Sequence, residues 1–256
     1  MRRLSFAARL AALVAAVAAP VASAETIRVF AAASLMEAFR DMAALYELQH
    51  AGDAIELNFA GSQVLRTQIE QGASADVFAS ADLVHAEVLK AAGLLGPYMV
   101  FARNRLVVVV PAASPRVKGL QDVARPGVKV LVAGPTVPVG RYTTQALARL
   151  GAAGLYGDDF QTRVRANVVS QETNVRAVLA KVGLGEADAG FVYITDAATA
   201  AQKVQVIDIP ERHNVIAEYP IGVVTKSAAA TQAKAFSDLV LGPEGQAILR
   251  KYGFAR

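Results

Sequence analysis

Residues 27–35 read IRVFAAASL, and they set a strand and a helix back to back. Ile27, Val29 and Phe30 form a short apolar run of strand type. Three alanines lead to Ser34, after which Leu35, Ala38, Phe39, Met42, Leu45 and Tyr46 recur on one face of a helix. Ser34 is therefore the expected N-cap at a strand-to-helix switch. Such a corner gathers unpaired N–H groups and the positive end of the helix dipole, so it can hold an anion without a charged side chain. A hydroxyl that only caps its helix satisfies the same pattern, and both readings stay open at this point.

The pattern repeats outward. Ile55, Leu57 and Phe59 alternate as a strand, then Ala60-Gly61-Ser62 turns into a helix carrying Val64, Leu65 and Ile69 and closed by Gly72. Val77 to Ala79 is a short strand, and Asp82 caps a helix running to Leu89 and Gly93. Leu106 to Val110 is a solid aliphatic strand stopped by Pro111. Val128 to Val132 is another, followed after Gly140 by a helix from Arg141 to Leu150. Val164 to Val169 reads as a strand before a helix that opens at Asn174 and carries Val175, Val178, Leu179 and Val182. Gly190 to Tyr193 is a strand ending at a Thr195-Asp196 capping pair, and Val204 to Ile209 alternates. Val215 to Val224 is a long strand with Pro220 inside it, which points to an edge or a crossing segment. Helices over Thr231–Leu241 and Pro243–Lys251 close the chain.

Repeated strand-helix units predict an α/β fold of mostly parallel sheets with ligands beyond the carboxyl ends of the strands. The prolines and glycines between Ala112 and Gly127 break the pattern. The expected organisation is two lobes joined by two crossings near Asn104 and Tyr219. Lobe I comprises residues 25–103 and 219–256, and lobe II residues 104–218, with a cleft between them.

The first 24 residues stand apart. Arg2, Arg3 and Arg9 precede an apolar stretch from Leu10 to Ala19 that is too short to span a bilayer, and Ala22-Ser23-Ala24 is a small-residue cleavage site. This reads as a signal peptide cut after Ala24. Of 256 residues, removal of 24 leaves 232, and the three leader arginines reduce 26 basic residues to 23 against 22 acidic ones. A net charge of +1 and the lack of basic runs argue against nucleic-acid binding. The chain has no cysteine, which excludes disulfides and, at the cleavage site, a lipid anchor. The expected location is the periplasm.

Catalytic signatures fail. Residues 134–141 imitate a phosphate loop, but five residues separate the glycines and Arg141 stands where lysine is required. Neither Ser34 nor Ser62 lies in a Gly-x-Ser-x-Gly elbow. His50, His85 and His213 lie far apart and read as solvated residues rather than metal ligands. The element starts remain, and around them the chain resembles a known family, the periplasmic molybdate-binding proteins of ABC importers, within the type II solute-binding proteins. Six pieces carry the resemblance in order: Val29 to Leu35; Phe59-Ala60 with Ser62; Ala75 to Asp82; Val137 to Tyr142; Gly190 to Tyr193 with Asp196-Ala197; and Gly242-Pro243 with Lys251 to Phe254.

The resemblance implies a two-lobe type II periplasmic-binding-protein fold that holds a dehydrated tetrahedral oxyanion between its lobes with neutral donors only. Position by position, it assigns hydroxyl donors to Ser34, Ser62 and Tyr193, the last at the cleft rim, and backbone N–H donors to Val139 and Val175. Gly61 stands where some members have serine, which enlarges local freedom. The implied ligand is molybdate, with tungstate beside it, and molybdenum enters only as the oxyanion, without protein-metal bonds or any cofactor. The implied partner is an ABC permease in the inner membrane, and the protein is expected to be a monomer without enzymatic activity. A receptor for another oxyanion such as sulfate, a secreted serine hydrolase using Ser34, and a purely interacting protein are the alternatives.

Overall fold

The computed structural model describes residues 25–113 and 115–256; the leader and its cleavage site lie outside them. Strand β1 (Thr26–Ala32) buries Ile27 and Val29 completely and delivers the chain, through a short 3-10 turn at Ala33–Leu35, into helix α1 (Met36–Gln49). On α1, Ala38, Phe39, Met42, Ala43 and Tyr46 face inward at helical spacing. Two further units repeat the motif: β2 (Ala54–Ala60) with α2 (Ser62–Glu70), and β3 (Val77–Ala79) with α3 (Leu83–Ala91). Asp82 caps α3, its carboxylate accepting from the His85 N–H at 3.2 Å.

The next strand, β4 (Leu95–Pro111), is 17 residues long, whereas the sequence predicts only its aliphatic end from Leu106. Beyond it lie β5 (Val130–Ala133), α4 (Pro138–Ala152), α5 (Phe160–Ala166), β6 (Val168–Glu172), α6 (Val175–Gly183), β7 (Ala189–Tyr193), α7 (Ile194–Thr199), β8 (Val204–Asp208), β9 (Ile216–Val224), α8 (Ala230–Leu241) and α9 (Pro243–Lys251). Three expectations need correction. Val164 lies in α5, where Phe160 and Val164 bury one helical stripe, and the strand begins only at Val168. Helix α4 starts at Pro138, a residue preorganised for the first helical position, so Val139 lies inside the first turn rather than before it. Tyr193, not Thr195 with Asp196, is the residue that precedes α7.

The strands form one sheet in the order β2-β1-β3-β9-β4-β7-β5-β6, with β8 also paired to β4. The strand-helix units give parallel pairs: β1 with β2 and β3, and β5 with β6 and β7. Strands β4 and β9 run antiparallel to their neighbours, so the sheet is mixed. Through Arg105, β4 pairs with β9; from Leu106 it pairs with β7 and from Val107 with β8. Pro220 lies within β9, opposite an irregularity in β4 between Val100 and Ala102 where a missing N–H is tolerated. A run of tilted and edge-on rings, Phe236, Phe39, Phe101, Tyr219 and Tyr193, crosses the core with centroids 5.8–6.3 Å apart.

Candidate functional site

The carboxyl ends of β1, β2, β3, β5, β6 and β7 converge on one cleft, and all five residues singled out in the sequence line it: Ser34, Ser62, Val139, Val175 and Tyr193. The cleft's free volume is about 20 Å³, far below the about 300–1,000 Å³ of pockets for drug-sized molecules. The space suits a small ligand. Its other lining residues are alanines, Gly61, Val137, Pro138 and Asn174, and no charged side chain is among them.

Each of these residues reaches the cleft by a local device. Ser34 is not a cap. It lies in the middle of the 3-10 turn, and α1 begins after Leu35 without any side-chain cap. Freed from that role, the Ser34 hydroxyl lies 3.1 Å from the Tyr219 hydroxyl. Ser62 is the first residue of α2, whose N-cap is Gly61, again without a side-chain cap. The Ser62 oxygen accepts from the Ala81 N–H at 3.0 Å, and its own proton has no acceptor among the described residues.

Helix α4 also starts uncapped, after Val137, and the Val139 N–H has no hydrogen-bond acceptor among the described residues. Helix α6 differs. Asn174 caps it by accepting from the Ala177 N–H at 3.0 Å, and the Val175 N–H at its first position has no acceptor among the described residues. Gly140 keeps the first turn of α4 close to the preceding strand, since a Cβ there would meet the Gly134 and Ala133 carbonyl oxygens at 2.2 and 2.3 Å.

Tyr193 is not at a rim. It is 1% exposed, and its hydroxyl has no hydrogen-bond partner among the described residues. Burial, followed by the nearby Tyr219, Tyr142, Asp82 and Asp196, pushes this phenol well above its ordinary value, so it stays protonated and able to donate. A buried hydroxyl with no partner among the described residues, on a cleft where α1, α2 and α4 start without a side-chain cap, is open to an acceptor from outside the protein.

Contacts join the elements that expectation assigns to different lobes. Gln63 Nε2 donates to the Thr173 carbonyl at 2.7 Å, and His85 Nε2 lies 3.0 Å from the Thr136 carbonyl. Arg141 Nη2 lies 3.0 Å from buried Asp82 Oδ2, an ion-pair contact rather than an aligned hydrogen bond. Arg176, at the start of α6, pairs with Glu37 on α1 and with fully buried Asp196. Burial raises the Asp196 carboxyl from 3.8 to about 6, against the lowering effect of Arg176. His85 is buried rather than solvated as expected, and desolvation lowers its basicity. Gly61 also differs from expectation. Its φ of −63° is open to any residue, and a Cβ there would sit 2.4 Å from the Thr173 carbonyl oxygen. Glycine serves a close approach here, not freedom of the backbone.

A family model for bacterial extracellular solute-binding proteins matches residues 27–255. The chain belongs to this family. The solute-binding protein is 38% identical over 241 residues to the molybdate-binding protein ModA of Mycobacterium tuberculosis, covering 93% of this chain and 88% of that one. It is 36% identical over 237 residues to ModA of Escherichia coli, covering 89% and 88%. Its fold matches the periplasmic molybdate-binding protein of Azotobacter vinelandii with a TM-score of 0.77 at 24% identity, covering 90% of this chain and 99% of that structure. These solute-binding relatives are named as binding proteins rather than enzymes. One part of the arrangement escaped the sequence reading. Tyr219 and Asn104, expected only as crossing points between lobes, lie directly behind Ser34, and no local spacing links residues 185 apart.

Proposed function

We propose that this protein captures molybdate, and tungstate by the same chemistry, and delivers it to an ABC permease of the inner membrane. It works as a monomer in the periplasm after cleavage behind Ala24, without cofactor or catalysis. The anion lies between lobe I (25–103 and 219–256) and lobe II (104–218). Ser34, Ser62 and Tyr193 donate through hydroxyls, and Val139 and Val175 through backbone N–H groups. The observation that carries the reading is the buried Tyr193 hydroxyl, which has no partner among the described residues, in a cleft lined by no charged side chain. The names of the relatives above support the choice of anion.

Molybdate is a dianion without a proton near neutral pH, so a cleft of donors can satisfy every oxygen. Hydrogen bonds to a charged acceptor contribute about 1.5–3 kcal/mol each, and the helix dipoles add to them. Phosphate keeps a proton near neutral pH, and that proton would face donors, at a cost of about 1–3 kcal/mol. Thermal denaturation and calorimetry with molybdate, tungstate, sulfate and phosphate test the reading. Molybdate and tungstate are expected to stabilise the protein, while millimolar phosphate neither stabilises it nor competes. Stabilisation by none of the four, or phosphate competition at concentrations comparable to molybdate, would refute it.

A further inference from the structure

Ser34 carries a single proton, and its use depends on what stands behind it. The Tyr219 hydroxyl has two polar neighbours among the described residues: Ser34 Oγ at 3.1 Å and Asn104 Nδ2 at 3.4 Å. The orientation of Asn104 is held from both sides. Its Oδ1 accepts the Arg105 N–H at 3.0 Å, and its Nδ2 donates to Thr195 Oγ1 at 2.7 Å. The atom facing Tyr219 is therefore an amide nitrogen, which can only donate. The phenol oxygen takes that contact, and the phenol proton has one acceptor left, Ser34 Oγ. With its oxygen supplied from behind, Ser34 has no acceptor left for its own proton among the described residues and lines the cleft.

On the reading of this cleft as a molybdate site, we infer that Tyr219, oriented by Asn104, is a positioning residue that makes Ser34 an obligate donor and sets the preference for unprotonated anions. Tyr219 is fully buried, and its position 185 residues from Ser34 rules out a local capping role. Burial holds its phenol well above the ordinary value, so the proton is present at every working pH. A protonated anion needs an acceptor. Ser34 can become one only by turning its proton back onto the Tyr219 oxygen, which strands the phenol proton beside the Asn104 amide. Buried donors without partners are strongly disfavoured. Ser62 is primed in the same sense by the Ala81 N–H, a group no side-chain substitution can remove.

Tyr219→Phe tests the inference, because the ring keeps its edge contacts with Phe101, Tyr193 and Phe254 while the hydroxyl is lost. Molybdate affinity is measured by calorimetry for the wild type, Tyr219→Phe, Ser34→Ala and the double variant, with phosphate as competitor. Loss of one neutral hydrogen bond behind Ser34 is expected to weaken molybdate binding about 2- to 13-fold. On the Ser34→Ala background the same substitution is expected to change affinity by less than about twofold. Phosphate affinity is expected to hold or rise, so the phosphate-to-molybdate ratio shifts by at least the molybdate factor. A Tyr219→Phe penalty that persists without the Ser34 hydroxyl, or an unchanged anion ratio, overturns the inference. Wild-type protein that fails to bind molybdate overturns this inference together with the proposed function; wild-type binding with either of those results overturns this inference alone.

Discussion

Tyr193→Phe separates binding from folding more sharply than any other substitution in the cleft. It removes one oxygen and leaves the ring, which is 1% exposed and packs edge-on against Tyr219 at 5.9 Å. The hydroxyl has no hydrogen-bond partner among the described residues, so its removal breaks no described bond within the protein. Ligand-free stability is expected to stay within about 1 kcal/mol of the wild type, the scale of a substitution that touches no network. Binding is expected to lose a charge-assisted hydrogen bond of about 1.5–3 kcal/mol, a rise in Kd of about 10- to 150-fold. Ser62→Ala supplies the contrast. Its oxygen accepts the Ala81 N–H, so that variant strands a buried donor and should lose about 1–3 kcal/mol of stability as well as affinity. Urea unfolding of ligand-free protein and calorimetry with molybdate read both quantities. A Tyr193→Phe variant that binds within about threefold of wild type would refute the reasoning, because the phenol would then point elsewhere. A loss of ligand-free stability equal to that of Ser62→Ala would refute it too.

Gly140→Ala places a Cβ 2.2 and 2.3 Å from two backbone carbonyl oxygens. The start of α4 must move, so both molybdate affinity and melting temperature should fall, by at least the about 1–3 kcal/mol typical of overpacking; an unchanged melting temperature would refute this. Asp196 gives a pH dependence. Its carboxyl is raised from 3.8 to about 6 when folded, so its contribution is complete below the unfolded value and is lost as pH rises through about 6. The loss amounts to about 3 kcal/mol. Wild type should therefore weaken relative to Asp196→Asn between pH 4 and 7 in urea melts, and parallel curves would count against it. Glu37→Gln removes the charge that Arg176 meets on α1. It should raise the molybdate Kd about 2- to 10-fold, mainly through faster dissociation, with less effect at high salt; stopped-flow dissociation checks this.

Much of this was legible in the chain because it is local. The β1-to-α1 switch, the Asp82 cap and the inward stripe of α6 follow from residues three or four apart. The 106–110 end of β4 was plain from its aliphatic run, whereas its first half, with Gly96, Pro97 and three charged or polar residues at 103–105, owes its extension to pairing with a strand more than a hundred residues away. Val164 misled because a β-branched residue suits a strand, yet Phe160 four residues earlier gave it a helical partner. At the cleft, the residues that line it were legible but not their posture. A serine before an apolar helix reads as a cap whether it caps or, as Ser34 does, turns its hydroxyl toward the cleft from a 3-10 turn. The burial of Tyr193 and the array behind Ser34 arise from elements brought together only by the fold.

The long β4 has a mechanical consequence. Where the chain passes between the two halves of the molecule, β4 and β9 are not separate tethers. They are cross-linked, with Ala102 opposite Tyr219, Arg103 opposite Glu218, Asn104 opposite Ala217 and Arg105 opposite Ile216. A hydrogen-bonded ribbon yields to bending and twist but resists shear, because sliding one strand along the other breaks its bonds and flips its side chains to the wrong face. The irregularity between Val100 and Ala102 is the natural place for it to flex. In the proposed function, opening and shutting would follow one rotation, and the two halves would return to the same offset on every cycle. Two loose loops would have to find that offset anew each time, against the conformational entropy of both.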